Sequence, residues 1–307
     1  MAKLMRKLAV LALIEQTVGT PAVPQAANAL LVSDVTITPL EGDSVERDNI
    51  RPFFGSGGSM LVTEYQKAAF SIECAGVNPA GTLPRYTDLL RACAVSATNT
   101  PGDKTVFAPV TEGIESLTLW ANVDGTLHKM HGVRGEFELK LQAKQIPKFS
   151  FDFMGSFTPA TDQAPPAVNY TGFLSPLGVN KANTTLEIDG LRVACSAFTF
   201  KCGNRVIKRD LMNVDTVEIT GRSSSGSVTF ENTSVATRDW IGKAREGAVV
   251  ALTVRHGQGA TNTVAFKSAR AQLGKPSYSD DDGVQMVTFP LSFIPSDAGN
   301  DEWAIEV

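Results

Sequence analysis

The residues that could do chemistry are few and badly placed for it. His128 and His131 form an H-x-x-H pair, a spacing that can bind metal on a helix. The surrounding sequence reads as a strand, where residues three apart point to opposite faces, so the pair predicts no metal site. His256 stands alone beside a turn. The run S-D-D-D-G at 279–283 is acidic but lacks the alternating ligands and closing glutamate of a calcium loop; it reads as a solvated turn. F-F-G-S-G-G-S at 53–59 is rich in glycine, yet no Lys-Ser/Thr follows and no helix brings an N-terminus to a phosphate. G-R-S-S-S-G at 221–226 does not fit the G-x-S-x-G nucleophile elbow. Cys74, Cys93, Cys195 and Cys202 have neither C-x-x-C spacing nor a histidine at zinc-site distance, and read as buried thiols. The sequence therefore predicts a non-enzyme that holds no cofactor and no metal.

The elements around these residues are mostly strands. In F-E-L-K-L-Q-A-K-Q-I-P-K-F-S-F-D-F-M-G-S-F (137–157), Phe137, Leu139, Leu141 and Ala143 share one face of an extended chain. After Pro147 the rhythm restarts with Phe149, Phe151 and Phe153. S-L-T-L-W-A-N-V (116–123) alternates too, and Asp124-Gly125 after it is a hairpin signal. Two segments break the β pattern. Leu83, Leu89, Leu90 and Cys93 recur at helical spacing after Pro84, and T-R-D-W-I-G-K-A-R-E (237–246) reads as a second short helix.

The 307 residues allow one large domain or two ordinary ones, and 43% apolar with 20% charged residues is a globular composition. A net charge of −4 gives no overall attraction for nucleic acid. The longest apolar runs fall short of the roughly 20 residues that cross a bilayer as a helix. The N-terminus imitates a signal peptide, with Lys3, Arg6 and Lys7 before Leu8–Ile14 and Ala-Asn-Ala at 27–29. The apolar run is short and Glu15 and Gln16 stop it. The other reading is an arm that lies on a partner or pairs as a strand.

T-P-A-T-D-Q-A-P-P-A-V-N (158–169) has no periodicity and reads as a linker. After it the order of elements runs again. G-D-S-V-E-R-D-N-I (42–50) is echoed by G-N-R-V-I-K-R-D-L-M (203–212), A-F-S-I-E-C-A-G (69–76) by S-V-T-F-E-N-T-S (227–234), and K-F-S-F-D-F-M-G by M-V-T-F-P-L-S-F-I (286–294). This predicts a duplication: an arm over 1–34, a first β domain over 35–158, a linker over 159–182 and a second β domain over 183–307. One loop stands out. In 47–59, Ile50, Phe53 and Phe54 lie between arginines and glycines. Adjacent phenylalanines in a long loop fold back on their own core or are buried in a partner. Arg47, Asp48, Ile50, Arg51, Phe53 and Phe54 are the expected inter-subunit contacts.

The stretches N-A-L-L-V-S-D-V-T-I-T-P-L-E-G-D-S-V-E-R-D-N-I-R-P-F-F-G (28–55), L-P-R-Y-T-D-L-L-R-A-C-A, and 115–157 resemble the major tail tube protein of long-tailed, Mu-like bacteriophages of the siphovirus type. The resemblance covers about half of the chain directly, and the second half through the repeat. It implies a mainly β fold, with tandem tail-tube-type β-sandwich or half-barrel domains, each flanked by a short helix. It implies a structural virion protein that stacks in rings around a tape-measure protein. It implies tail terminator and baseplate proteins as further partners, assembly in the host cytoplasm, and no membrane. DNA would pass through the lumen without specific binding. With two tube domains per chain, three chains would close a pseudo-six-fold ring; were the second half a decoration domain, the ring would be a hexamer. Glu136, Glu138, Asp215 and Glu218 are the acids considered for the lumen. The alternative from another class is a secreted β-sandwich adhesin or carbohydrate-binding module, with cleavage after Ala29 and a Cys195–Cys202 disulfide. A fibre or baseplate component is a third reading.

Overall fold

The computed structural model describes residues 3–259 and 261–307. Met1 and Ala2 of the expected arm, and Ala260 of the second half, lie outside the described residues. The fold is mainly β, with two short helices.

In the first half, alternation becomes a sheet with its apolar side inward. Ser33–Glu41 pairs with Tyr65–Glu73, which pairs with Lys148–Ser156. That strand pairs with the long strand Thr126–Gln142, which pairs with Leu117–Val123. The last hairpin is closed by Asp124 (φ 43°) and Gly125 (φ 89°), the left-handed pair that a tight turn of matching twist needs. Leu8–Ile14 pairs along the whole of Leu117–Val123. Of the alternatives at the N-terminus, the strand is the one the chain adopts.

The second half repeats this order. Cys195–Lys201 pairs with Ser225–Glu231, then Val284–Phe293, then Thr263–Leu273, then Val249–Gly257, then Thr184–Ile188. Irregularities repeat as well. The long strand slips register between Met130 and Val133 against Leu119 and Leu117. Thr263–Leu273 slips between Ser268 and Ala271 against Leu252 and Val250. No path of pairings returns to its starting strand, so the sheets stay open. A helix lies at the same place in each half: Thr87–Arg91, which buries Leu89 and Leu90, and Trp240–Arg245, which buries Trp240. The first begins beyond Pro84, whose carbonyl accepts from Thr87 Oγ1 at 2.6 Å and so holds the preceding turn. Asp239 caps the second, accepting from the Gly242 amide at 2.7 Å.

One core serves both halves. Phe137 lies 5.8 Å from Phe200 and 5.8 Å from Trp303, all of them buried. Each such aromatic contributes about 1.5–3 kcal/mol by leaving water. The halves also interlock: Val95–Thr100 and Lys104–Pro109 form a hairpin in the first half alone, and its second strand pairs with Ala304–Glu306 from the chain's end. Among the described residues no helix is long and apolar enough to cross a membrane.

Candidate assembly surfaces

Each half sends out one hairpin from the same place, between its first and second sheet strands. Both hairpins pinch at a glycine. A side chain at Gly42 would run into the carbonyl oxygen of Thr63, and one at Gly203 into that of Ser223. The segments they enclose, 43–62 and 204–222, are nearly equal in length. Beyond the pinch they differ. The second hairpin is ordered to its tip, with Asn204–Leu211 paired to Val214–Arg222. The first is paired only at its base, Ser44–Glu46 on Ser59–Leu61.

Asp48, Ile50, Arg51, Phe53 and Phe54 lie in the unpaired part of the first hairpin, Arg47 stands at its edge with its amide donating to the Gly58 carbonyl at 2.9 Å, and all six are exposed. Ile50 and Phe54, at 102% and 107%, touch nothing that shields them; Phe53 is at 65%. Arg47, Asp48 and Arg51 form no ion pair among the described residues. The loop therefore does not fold back on its own core, which was the other expectation for it.

The second hairpin is ordered because the first half seats it. Arg134, buried on the long strand, donates from Nη1 to the Val217 carbonyl at 2.8 Å and to the Glu218 carboxylate. Its Nη2 reaches the Ile114 carbonyl at 2.9 Å. Lys208 Nζ reaches Ser156 Oγ at 3.1 Å and pairs with Asp215, which also accepts from Ser156 at 3.1 Å. At the base, Asn204 Nδ2 donates to the Cys93 and Gly135 carbonyls at 2.7 and 3.0 Å. Burial pushes the Lys208 amine below its ordinary range, with Asp210 and Glu64 opposing.

The halves meet strand to strand. Residues 138–142 of the long strand pair with 197–201, placing Leu139 opposite Phe200 and Leu141 opposite Phe198. All four are buried. The corresponding edges at the far ends are open. Ser33–Glu41 pairs on one side only, leaving Val35 and Ile37 half-buried. Ser277–Asp281 pairs only with Val284–Phe293 and is exposed throughout, Tyr278 at 52%. A cleft of about 760 Å³ lies beside this edge, between Asp281, Val284 and Met286 on one wall and Leu141 and Val193 on another.

No group of three His, Cys, Asp or Glu could hold a metal among the described residues. All four cysteines are free, so Cys195 and Cys202 are not joined. Burial pushes the Cys195 thiol up to about 12 and those of Cys74 and Cys202 higher. His128 and His131 are half-buried, and burial lowers both below the usual imidazole range. The acids considered for a lumen are each ion-paired: Glu136 with Lys201 at 3.1 Å, Glu138 with Lys140 at 2.9 Å, Asp215 with Lys208, and Glu218 with Arg134.

Two parts of this arrangement escape sequence reasoning. The edge strand Ser277–Asp281 overlaps the run 279–283 read as a solvated turn, of which Asp282 and Gly283 do form a turn; the strand's only signal is the Ser-Tyr-Ser alternation. The seat on Arg134 has none, because one arginine in a strand looks like any exposed charge.

A family model described as phage tail tube protein matches residues 6–293, which spans both halves. Among curated proteins, none matches the chain.

Proposed function

From the premise that this chain belongs to the phage tail tube protein family, we propose that it polymerises into stacked rings that form the hollow tube through which DNA is ejected. The two halves are quasi-equivalent tube domains, and three chains close one pseudo-six-fold ring. The observation that carries this is the joint inside the chain. There the first half's long strand holds the second half's first strand, residue for residue. The matching parts at the two ends, Ser277–Asp281 and Ser33–Glu41, are both open. Laid on the internal joint, they pair with Tyr278 opposite Ile37, as Leu139 is opposite Phe200. This head-to-tail contact uses different surfaces on its two sides; with a rotation of one third of a turn per chain it closes into a ring and leaves no free edge. The repeated pairing order favours a second tube domain over a decoration domain, and hence three chains over six.

The polar face opposite the phenylalanines is the lumen wall of this ring. It interleaves acids with bases and carries rows of hydroxyls, including Ser71 with Ser150, Thr199 with Ser227, and Thr229 with Thr288. Such a wall offers phosphate no cluster of unpaired cations to grip. The tube surrounds a tape-measure protein, ends on terminator and baseplate proteins, and belongs to the virion tail after assembly in the host cytoplasm. The secreted-module reading is the weaker one. Its disulfide is absent, and Leu8–Ile14, which it would cleave off, is a sheet strand.

Electron microscopy of the purified full-length protein tests the reading. Hollow tubes are expected, and Tyr278→Asp, which puts a charge into the closing joint, is expected to leave folded single chains. Tubes that survive Tyr278→Asp would refute the joint.

A further inference from the structure

The second hairpin has a seat and the first has none. Counting from the shared register slip, Arg134 corresponds to Gln272, Gly132 to Arg270, and Ser116 to Val249. One bond of the seat is even reproduced. Gln272 Nε2 donates to the Gly247 carbonyl at 3.0 Å, as Arg134 Nη2 donates to the Ile114 carbonyl at 2.9 Å. Yet the surface around Gln272 is uncovered. Ser116 and Gly132 are buried, whereas Val249 and Arg270 are exposed. Ser156, buried beneath the second hairpin, corresponds to the half-buried Ile294.

We propose that this bare surface of the second half, centred on Val249, Arg270, Gln272 and Ile294, is the seat for the first hairpin (residues 43–62) of another copy of the chain. The occupant follows from the page. Both hairpins leave their sheets at a glycine pinch, are nearly equal in length, and carry a base five residues beyond it, Arg47 and Lys208. The second hairpin lies on the half that precedes it in the chain. In the ring, the half that precedes the first hairpin is the second half of a neighbouring chain. Docking there shields Ile50, Phe53 or Phe54 at the tip and Val249 in the seat, and extends the pairing now confined to the hairpin's base. The seat rests on the ring reading but is separable from it, because rings could close through strand edges while the hairpin reaches toward the next ring instead.

The test uses the full-length protein with Phe54 replaced by the photoreactive p-benzoylphenylalanine, irradiated under assembling conditions and mapped by mass spectrometry. The expected result is a cross-link between chains, to residues 247–249, 269–272 or 292–294. Val249→Glu should abolish that cross-link and raise the concentration needed for assembly at least ten-fold. Ile241→Glu, on the exposed side of the second helix, should do neither. Assembled rings whose cross-links map elsewhere overturn the seat and leave the ring reading standing. A protein that stays a single chain at every concentration overturns both.

Discussion

Ile37 and Phe200 hold the same place in the two halves and have different surroundings. Phe200 sits under a paired strand, opposite Leu139, and is fully buried. Ile37 lies on a strand whose outer edge is open, and is half-covered. The hairpins divide in the same way: one is seated and ordered, the other paired only at its root. In each pair the first half lacks what the second half receives from within the chain. The difference teaches where the molecule is unfinished. In the proposed ring, intramolecular packing in one half would serve as a template for intermolecular packing in the other, and the unmatched surfaces would be the two ends of a single head-to-tail contact.

The sharpest way to break this comparison is to truncate both members. Phe200→Ala should destabilise the isolated chain by about 3–5 kcal/mol in denaturant unfolding, since it leaves a large cavity in the shared core. Ile37→Ala should cost the isolated chain about 1 kcal/mol or less, and should act chiefly by weakening assembly in a sedimentation assay. Equal losses in the unfolding assay would erase the distinction between closed and open joints.

The seats come next. Arg134→Ala strands the carbonyls it serves and should cost about 2–3 kcal/mol; proteolysis should then open the second hairpin. Gln272→Ala removes one bond from a partly exposed group and should cost about 1 kcal/mol or less in the same unfolding experiment. Gly42→Ala and Gly203→Ala each force backbone apart and should destabilise by more than about 1 kcal/mol, with Gly203→Ala the costlier because Gly203 also sits at φ 73°, read as a fall in melting temperature. A smaller effect is expected from Phe53→Ala combined with Phe54→Ala. Stability of the isolated chain should stay within about 0.5 kcal/mol, while tubes vanish from the microscope grid.

The smallest effect concerns pH at the second helix. Asp189 accepts from Lys243 at 2.5 Å and lies 3.0 Å from Arg238, which hold its carboxyl below the ordinary value of 3.8. A depressed carboxylate adds stability that is fully present above that value and is lost as the pH falls through the lowered one. The pair is partly exposed, so the gain is modest. NMR of the Trp240 indole N–H, which donates to Thr233 at 2.9 Å, should show an acid transition with its midpoint below pH 3.8. A shift near neutral pH would point to another group.

Much of this was legible in the sequence where one face is buried. Phe149, Phe151 and Phe153 alternate because water lies on one side of their strand and core on the other, and Asp124-Gly125 marks its turn because few other pairs accept that backbone. The order of strand pairings that recurs in the structure has a counterpart in the sequence, where Gly42 and Gly203 open similar stretches. What escaped reading is held by backbone alone or by a single polar side chain. Ser277–Asp281 is exposed on both faces, so no hydrophobic period betrays it. The Val95–Thr100 strand is short and mostly polar, and its pairing with the chain's end is a long-range event with no local signature. Within the loop of Ile50, Phe53 and Phe54, residue type alone marked exposed apolar side chains, whereas the docking place proposed for them has no local signal.

The central claim is that two halves of one chain stand in for two subunits. Native mass spectrometry of single rings, released from tubes under mild conditions, tests it most directly. The account predicts three chains per ring, with six-fold features in end-on images. Six chains per ring would contradict it, because the second half would then lie outside the ring wall.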